Sequence, residues 1–424
     1  MVDFREAVVR GQPEDRGLYF PALIPQLPIG FADGLQEMPD EDVAFETISP
    51  YLGESISDDS LRTICSEALN FEIPLVPITD RIFALELFHG PTLAFKDVGA
   101  RFMSRCLQYF ARQTGEKFIV IVATSGDTGG AVANGFFGVE GIEVVILYPK
   151  GRVSEVQELQ LTTLGENVTT LALRGTFDDC QEIAKRALAD KDLRAKARLT
   201  SANSINVARW LPQQFFYFYA YKQWIGRGFR DPPVFAVPSG NFGNLASGVQ
   251  AYRSGLPVQE FVAACNANDA VPKFFETGVY ESRPSVATLS NAMDVGDPSN
   301  FVRILELFKK DTDSLKRVMS AVSVSDERTV KTMREVHSNY GYVLDPHGAV
   351  AYAALDDHLA RYSDRAGIFL ETAHPVKFDS VAEILNVETE VPRSVSELFE
   401  RERSVIELDV DYRSVYEVIL GRTK

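Results

Sequence analysis

Hydrophobic positions along this chain follow two rhythms. Up to about residue 80 they recur at helical spacing, as in Asp59-Ser-Leu-Arg-Thr-Ile-Cys-Ser-Glu-Ala-Leu69, between joints at Pro21, Pro25, Pro28 and Pro39. This predicts a mostly helical N-terminal segment. From Phe118 the rhythm changes to short apolar, β-branched runs, each followed by a polar or glycine-rich turn and then a helical stretch: FIVIVA, TSGDTGG, AVANGFF; IEVVILYP, KGRVSEVQELQL; VTTLALRG, TFDDCQEIAKRALA. Strands that are apolar on both faces and alternate with helices imply parallel sheets covered on both sides, because the crossover helices must lie on the sheet. The rhythm resumes after Trp210 with VFAVP and SGNFGN, then EFVAACNAND and GIFLETAHP. The expected architecture is therefore α/β: two open, twisted, mostly parallel-sheet lobes behind a helical N-terminal segment.

Asp231-Pro-Pro233 interrupts the chain before the second lobe's first strand, but no Ser/Gly-rich linker separates the halves, so the lobes are expected to pack directly on each other. The division expected is 1–85 for the N-terminal domain, 86–215 for a smaller lobe and 216–424 for a larger one. The acidic stretch from Glu388 to Asp411 reads as solvated helix and loop.

Composition narrows the partners. The 424 residues are 45% apolar and 24% charged, as in an ordinary globular protein, and long enough for two or three domains. A net charge of −16 disfavours nucleic acid and anionic membrane and points to a small-molecule partner. Cys65, Cys106, Cys180 and Cys265 are too scattered for a zinc site or a disulfide framework, which suits a reducing compartment. The five histidines form no HExxH pair, so no metal is expected. Apolar runs such as Phe118–Ala123, with six residues, fall far short of a bilayer span, and the first 17 residues lack the apolar core of a signal peptide. These readings place the protein in the cytoplasm.

Two glycine-rich turns each follow an apolar strand and open a helix, the arrangement in which backbone N–H groups attract an anion. They are Ser125-Gly-Asp-Thr-Gly-Gly130 and Ser239-Gly-Asn-Phe-Gly-Asn244, and neither has Walker A or GxGxxG spacing. Tight βα turns alone would also use such glycines. In His89-Gly-Pro-Thr-Leu-Ala-Phe-Lys-Asp97, a Gly-Pro turn leads to Lys96 among apolar residues. A desolvated amine there would have a lowered pKa suited to Schiff-base chemistry, whereas a lysine on an ordinary turn is solvated surface.

Taken together, HGPTLAFKD (89–97), ATSGDTGGA (123–131), VPSGNFGNLASG (237–248), ATLSNAMDVGDPSNF (287–301), Asp345-Pro-His-Gly-Ala-Val350 and ETAHPVKF (371–378) resemble the threonine synthases, a fold-type II, pyridoxal-phosphate (PLP) dependent family with the tryptophan synthase β-like fold. The resemblance covers nearly the whole chain, beginning with Gly17-Leu-Tyr-Phe-Pro21. It implies Lys96 as the Schiff-base lysine and Gly240, Asn241, Phe242, Gly243 and Asn244 as the cradle of the cofactor phosphate. Thr372 is implied as the hydroxyl facing the pyridine nitrogen. Ser125, Gly126, Asp127 and Thr128 would grip the substrate α-carboxylate, and Asn203, Ser204, Asn206 and Arg209 the substrate phosphate. Many fold-type II relatives carry Asn at the position of Asp127; a carboxylate beside the substrate's own must either point elsewhere or be protonated. His89, His347 and His374 are expected to be structural. Ser290–Asp294 and Asn266–Asp269 are expected near the cleft, with no role assigned. The implied activity converts O-phospho-L-homoserine and water to L-threonine and phosphate in a monomer or homodimer. A phospho-lyase releasing 2-oxobutyrate and ammonia would use the same motifs, and a non-catalytic binder would share the scaffold.

Overall fold

A computed structural model describes residues 1–388 and 391–423. Thr389 and Glu390, within the acidic stretch, and Lys424, the last residue of the expected larger lobe, lie outside the described residues. Near the N-terminus, helix Asp40–Leu52 buries Val43, Ala44 and Ile48, and helix Asp58–Ala68 buries Leu61, Ile64 and Ala68. The two helices pack on each other through these stripes, in agreement with the periodicity. The segment then ends in strands: β1 (Leu75–Pro77) pairs antiparallel with β2 (Ile82–Glu86).

Four parallel strands follow: β3 (Phe118–Ala123), β4 (Ile142–Pro149), β5 (Val168–Leu173) and β6 (Arg198–Ser201). Every residue of β3 and β5 is buried, as strands covered on both faces must be. Next come β7 (Val234–Pro238), β8 (Glu260–Cys265), β9 (Met319–Ser323) and β10 (Gly367–Glu371), and finally β11 (Ile406–Leu408). They form two sheets, ordered β11-β5-β4-β3-β6 and β1-β2-β10-β7-β8-β9, parallel apart from the β1–β2 pair.

The sheets exchange segments across the expected boundaries. β2 runs across the expected boundary at 85/86 and pairs with β10, aligning Glu86 with Glu371, so β1 and β2 belong with the larger sheet. β11 and helix Tyr412–Gly421 lie at the far end of the chain but join the smaller sheet, where Val415 and Ile419 are fully buried. The acidic stretch is thus not only solvated helix and loop. Crossover connections let strand order depart from chain order, and neither a five-residue apolar run nor a three-residue edge strand announces which sheet it will join.

Helix Phe215–Gly226 joins the halves. Its aromatic residues Phe215, Phe216, Tyr217, Phe218, Tyr219, Tyr221 and Trp224 are all buried, as expected of a helix enclosed on every side. The loops after β3, β7 and β10 leave the carboxyl ends of their strands, where open parallel sheets bind ligands. All four cysteines are free and buried. Among the described residues no helix is long and apolar enough to cross a membrane, and no acidic, His or Cys cluster could hold a metal ion.

Candidate active site

Lys96 is the first residue of helix Lys96–Thr114. The turn before it is built around the next residue: the Asp97 carboxylate accepts the Thr92 N–H at 2.9 Å and also the Thr92 hydroxyl. A Cβ on Gly90 would lie 2.5 Å from Asp97 Oδ2, so this turn accepts only glycine there. The turn is tied to the segment after β10. Phe95 N–H donates to Thr372 O at 3.0 Å, and His374 N–H to Leu93 O at 3.1 Å, which sets Lys96 and Thr372 on neighbouring backbone. The Lys96 side chain is 20% exposed, and Nζ lies 3.7 Å from Asp127 Oδ2. Burial pushes the amine's pKa down, with Asp127 opposing and Lys377 and Arg209 reinforcing.

Asp127 heads helix Asp127–Phe136, just after β3. Its Oδ1 accepts the Lys377 ammonium at 2.7 Å and Gln157 Nε2 at 3.0 Å. Burial alone would raise its pKa; the charges of Lys377 and Lys96, with the hydrogen bonds from Lys377 and Gln157, instead hold it far below the usual carboxylate range. The carboxylate is thus ionised and turned toward the lysines. Gly126 before it has φ +141°, and a Cβ there would meet the Gln157 amide at 2.5 Å. Ser125 is exposed and Thr128 half-buried at this helix start. The Thr124 hydroxyl, which the sequence did not single out, fixes the loop by accepting from Gly126 N–H at 2.9 Å and Gly129 N–H at 2.8 Å.

The segment after β6 is anchored in both directions. Asn203 Nδ2 donates to Ala123 O at 2.8 Å, and the Ser204 hydroxyl accepts from Asn241 Nδ2 at 2.8 Å and Asn300 Nδ2 at 3.1 Å. Asn206 departs from the expected role in substrate binding. It is fully buried, its carbonyl caps Ala208 N–H, and its amide donates to Val8 O and Ser201 O, so both amide hydrogens are already used within the protein. An asparagine before a helix serves both purposes in sequence, and here the cap prevails. Arg209 is nearly buried, donates through Nη1 to Ala202 O, and has no partner for Nε among the described residues. Burial lowers its pKa to about 10.

In the second glycine loop Phe242 adopts φ +60° ahead of helix Gly243–Arg253. Gly240 presses on the 290–294 segment, where its Cβ would stand 2.5 Å from Met293 Cα. That segment is held in turn by Asn266, whose amide donates to Asp294 Oδ1 at 2.9 Å. Asn244 accepts the Tyr217 hydroxyl at 2.7 Å, while its own Nδ2, buried beside the helix start, has no partner among the described residues. A buried unpaired donor at a helix N-terminus suits an anion.

Sequence reasoning missed three residues here. Lys377 is fully buried inside the quoted string ETAHPVKF; a lysine in an apolar turn was the signal available, the same one that marked Lys96. Arg303, also buried, donates to Ser204 O at 2.9 Å and Ile205 O at 2.7 Å and lies 4.4 Å over the Trp210 ring. Glu371, directly before Thr372, is buried against Asp345, whose N–H it accepts at 3.0 Å. The three histidines have structural contacts: His89 with Glu86 at 2.7 Å, His347 with Asp345 at 2.7 Å, and His374 Nδ1 accepting from Val376 N–H at 3.1 Å.

Comparison with known proteins agrees with this geometry. The family described as pyridoxal-phosphate dependent enzyme matches residues 32–369, and the threonine synthase C-terminal family matches residues 348–419. Threonine synthase from Serratia marcescens is 44% identical over 397 residues, 93% of this chain and 91% of that protein. The crystal structure of threonine synthase from Escherichia coli superposes with a TM-score of 0.91 at 40% identity, covering 99% of this chain and 97% of that one. A PLP-bound threonine synthase from Brucella melitensis gives 0.92 at 33% identity over 100% and 97%.

Proposed function

The chain belongs to the pyridoxal-phosphate dependent enzymes and, among them, to the threonine synthases; from that premise we propose that Lys96 holds the cofactor and that the loops around it convert O-phospho-L-homoserine and water to L-threonine and phosphate. The observation carrying this reading is the sheltered Lys96 amine, at a helix start beside an ionised Asp127, on the strand-end side where the loops after β3 and β10 meet. The buried Asn244 amide without a partner, at the head of helix Gly243–Arg253, supports the 240–244 loop as the seat of the cofactor phosphate.

When bound, pyridoxal phosphate supplies an aldehyde that condenses with amines and a conjugated ring that draws electrons from the substrate's Cα. The protein's part is to hold, orient and move protons. Lys96 would hold the cofactor through its amine, and once that amine is free it would be placed to take the proton from Cα. Ser125, Thr128 and the N–H groups of the Gly126 turn orient the α-carboxylate, while Asp127 faces the lysines. Asn203, Ser204 and Arg209 hold the phosphate that leaves, where an arginine fork is well matched to its oxygens. Thr372, buried just after β10, would give the ring nitrogen a neutral hydroxyl partner, not a carboxylate. With the cofactor bound, phosphate would depart from Cγ as a Cβ proton is lost, and water would then add at Cβ while protons return to Cγ and Cα.

Neither the phospho-lyase nor the binder is favoured, because relatives matched over nearly the full length are threonine synthases. We place the protein in the cytoplasm, as a monomer or homodimer without nucleic-acid or membrane partners; the charge of −16 and four free buried thiols support this. The test is to incubate protein, PLP and O-phospho-L-homoserine and to quantify threonine, 2-oxobutyrate and phosphate by NMR, with Lys96→Ala as control. Threonine equal to phosphate, and absent in the variant, supports the reading. 2-Oxobutyrate equal to phosphate overturns it.

A further inference from the structure

Two lysines share one carboxylate in this site, and the closer one is not the lysine assigned to the cofactor. Lys377 closes the short turn Pro375–Lys377 after β10. It is fully buried, and its ammonium donates to Asp127 Oδ1 at 2.7 Å and to Thr92 O at 2.9 Å. Lys96 Nζ is 3.7 Å from the other oxygen, Oδ2. The 1.0 Å difference matters because Coulomb attraction at such distances is strong in a sheltered site. A buried carboxylate facing Lys96 alone would hold its nitrogen as a cation, and a cationic amine can neither attack a carbonyl nor accept the Cα proton.

We propose that Lys377 is a positioning residue for the reaction: by taking the Asp127 carboxylate as its own ion pair, it keeps that carboxylate from fixing Lys96 as a cation. The groups facing Lys96 are Asp127, Lys377, Arg209 and the Phe95 ring at 4.8 Å. Those facing Lys377 are Asp127, Asp97 and Lys96. Summed over Lys96, Lys377 and Asp127, the formal charge is zero when Lys96 is neutral and +1 when it is protonated. Arg209 adds a further positive charge, and burial disfavours the charged amine as well. The pair also joins the segment after β10 to the helix after β3, so it fixes Asp127 relative to the turn that carries Lys96.

The inference rests on Lys96 being the cofactor lysine, and the experiment separates the two claims. Holoenzyme is reduced with borohydride and digested, and the modified peptide is identified by mass spectrometry; modification at any lysine other than Lys96 refutes the functional assignment. The absorption of the bound cofactor is then titrated with pH in wild type, Lys377→Met, Lys377→Arg and Asp127→Asn. Methionine keeps the length and removes the charge, and Thr92 O retains a donor in Gln160 Nε2 at 3.0 Å. The midpoint is expected to move up by about one pH unit or more in Lys377→Met, to move down in Asp127→Asn, and to stay near wild type in Lys377→Arg. Lost packing alone would not shift the two charge-removing variants in opposite directions. A wild-type midpoint in folded Lys377→Met overturns the proposal. If that variant does not fold, an unmoved midpoint in Asp127→Asn does so.

Discussion

The Ser204 hydroxyl accepts a 2.8 Å hydrogen bond from the Asn241 side chain, joining the segment proposed for the substrate phosphate to the loop proposed for the cofactor phosphate. Asn300 reinforces the junction by donating to Ser204 Oγ at 3.1 Å and to Asn241 O at 3.0 Å. Removing the hydroxyl in Ser204→Ala strands the Asn241 amide and one Asn300 hydrogen, at a cost of about 1–2 kcal/mol. Cofactor affinity and substrate KM are therefore expected to worsen together, each by roughly five- to thirtyfold. Cofactor titration and steady-state kinetics on one preparation read both. A raised KM with unchanged cofactor affinity would show that the two segments work separately.

Gly240 tests whether the second glycine loop must approach the 290–294 segment so closely. An added Cβ would stand 2.5 Å from Met293 Cα, which is backbone and has no side-chain freedom to yield. Gly240→Ala is expected to displace the loop and weaken cofactor binding at least about tenfold, or roughly 1.4 kcal/mol, without unfolding the protein. Equilibrium dialysis against PLP, with circular dichroism as the folding control, gives the answer. Wild-type affinity would remove this loop from the cofactor site.

Much of this arrangement was legible in the sequence. Fully apolar strands mark burial on both faces and glycine-rich turns mark tight strand-to-helix connections, whereas Lys96 stands out through the family-like string HGPTLAFKD, because a lone lysine after a turn also reads as solvated surface. The destinations of β2 and β11 were hidden because pairing across hundreds of residues leaves no local periodicity. The same holds for Lys377 and Arg303, each a lone charged residue whose burial depends on partners distant in the chain, Asp127 for one and the Ser204 and Ile205 carbonyls for the other. Asn206 shows the opposite ambiguity, since its place before a helix suited a ligand and a cap equally.

Glu371 gives a prediction about pH. Burial raises its pKa well above the ordinary carboxyl value, and the charges of Asp345 and Glu86 add to this against the opposing Asp345 N–H. Its Oε2 and Asp345 Oδ2 both lack partners among the described residues, as expected where one carboxyl of a close pair stays protonated. The folded-state pKa lies above the unfolded one, so this group's contribution to stability is fully present below the unfolded value and is lost as pH rises through the folded value. Glu371→Gln keeps the shape without the ionisation. The melting temperature of the variant relative to wild type should therefore climb by a few degrees between pH 4 and pH 8. A difference independent of pH would mean that Glu371 is ionised in the folded protein.

Arg209 offers the sharpest separation of substrate from cofactor. Its guanidinium is buried, bonded to Ala202 O, and close enough to Lys96 to lower the amine's pKa, yet Nε has no partner among the described residues. Burial takes the guanidinium to about 10 against the opposing charge of Asp97, so it remains a cation at neutral pH, and no carboxylate among the described residues forms an ion pair with it. A phosphate leaving group would supply the missing anion. Arg209→Ala removes that charge while leaving Lys96 and the 240–244 loop in place, so PLP should remain bound while kcat/KM for O-phospho-L-homoserine falls by a factor of about a hundred or more, equivalent to roughly 3 kcal/mol. Arg209→Lys restores a point charge without the fork and should recover only part of the loss. Inorganic phosphate sharpens the comparison: as a product-like inhibitor it should bind wild type and lose affinity in both variants, most in alanine. Full activity in Arg209→Ala would move the phosphate site elsewhere.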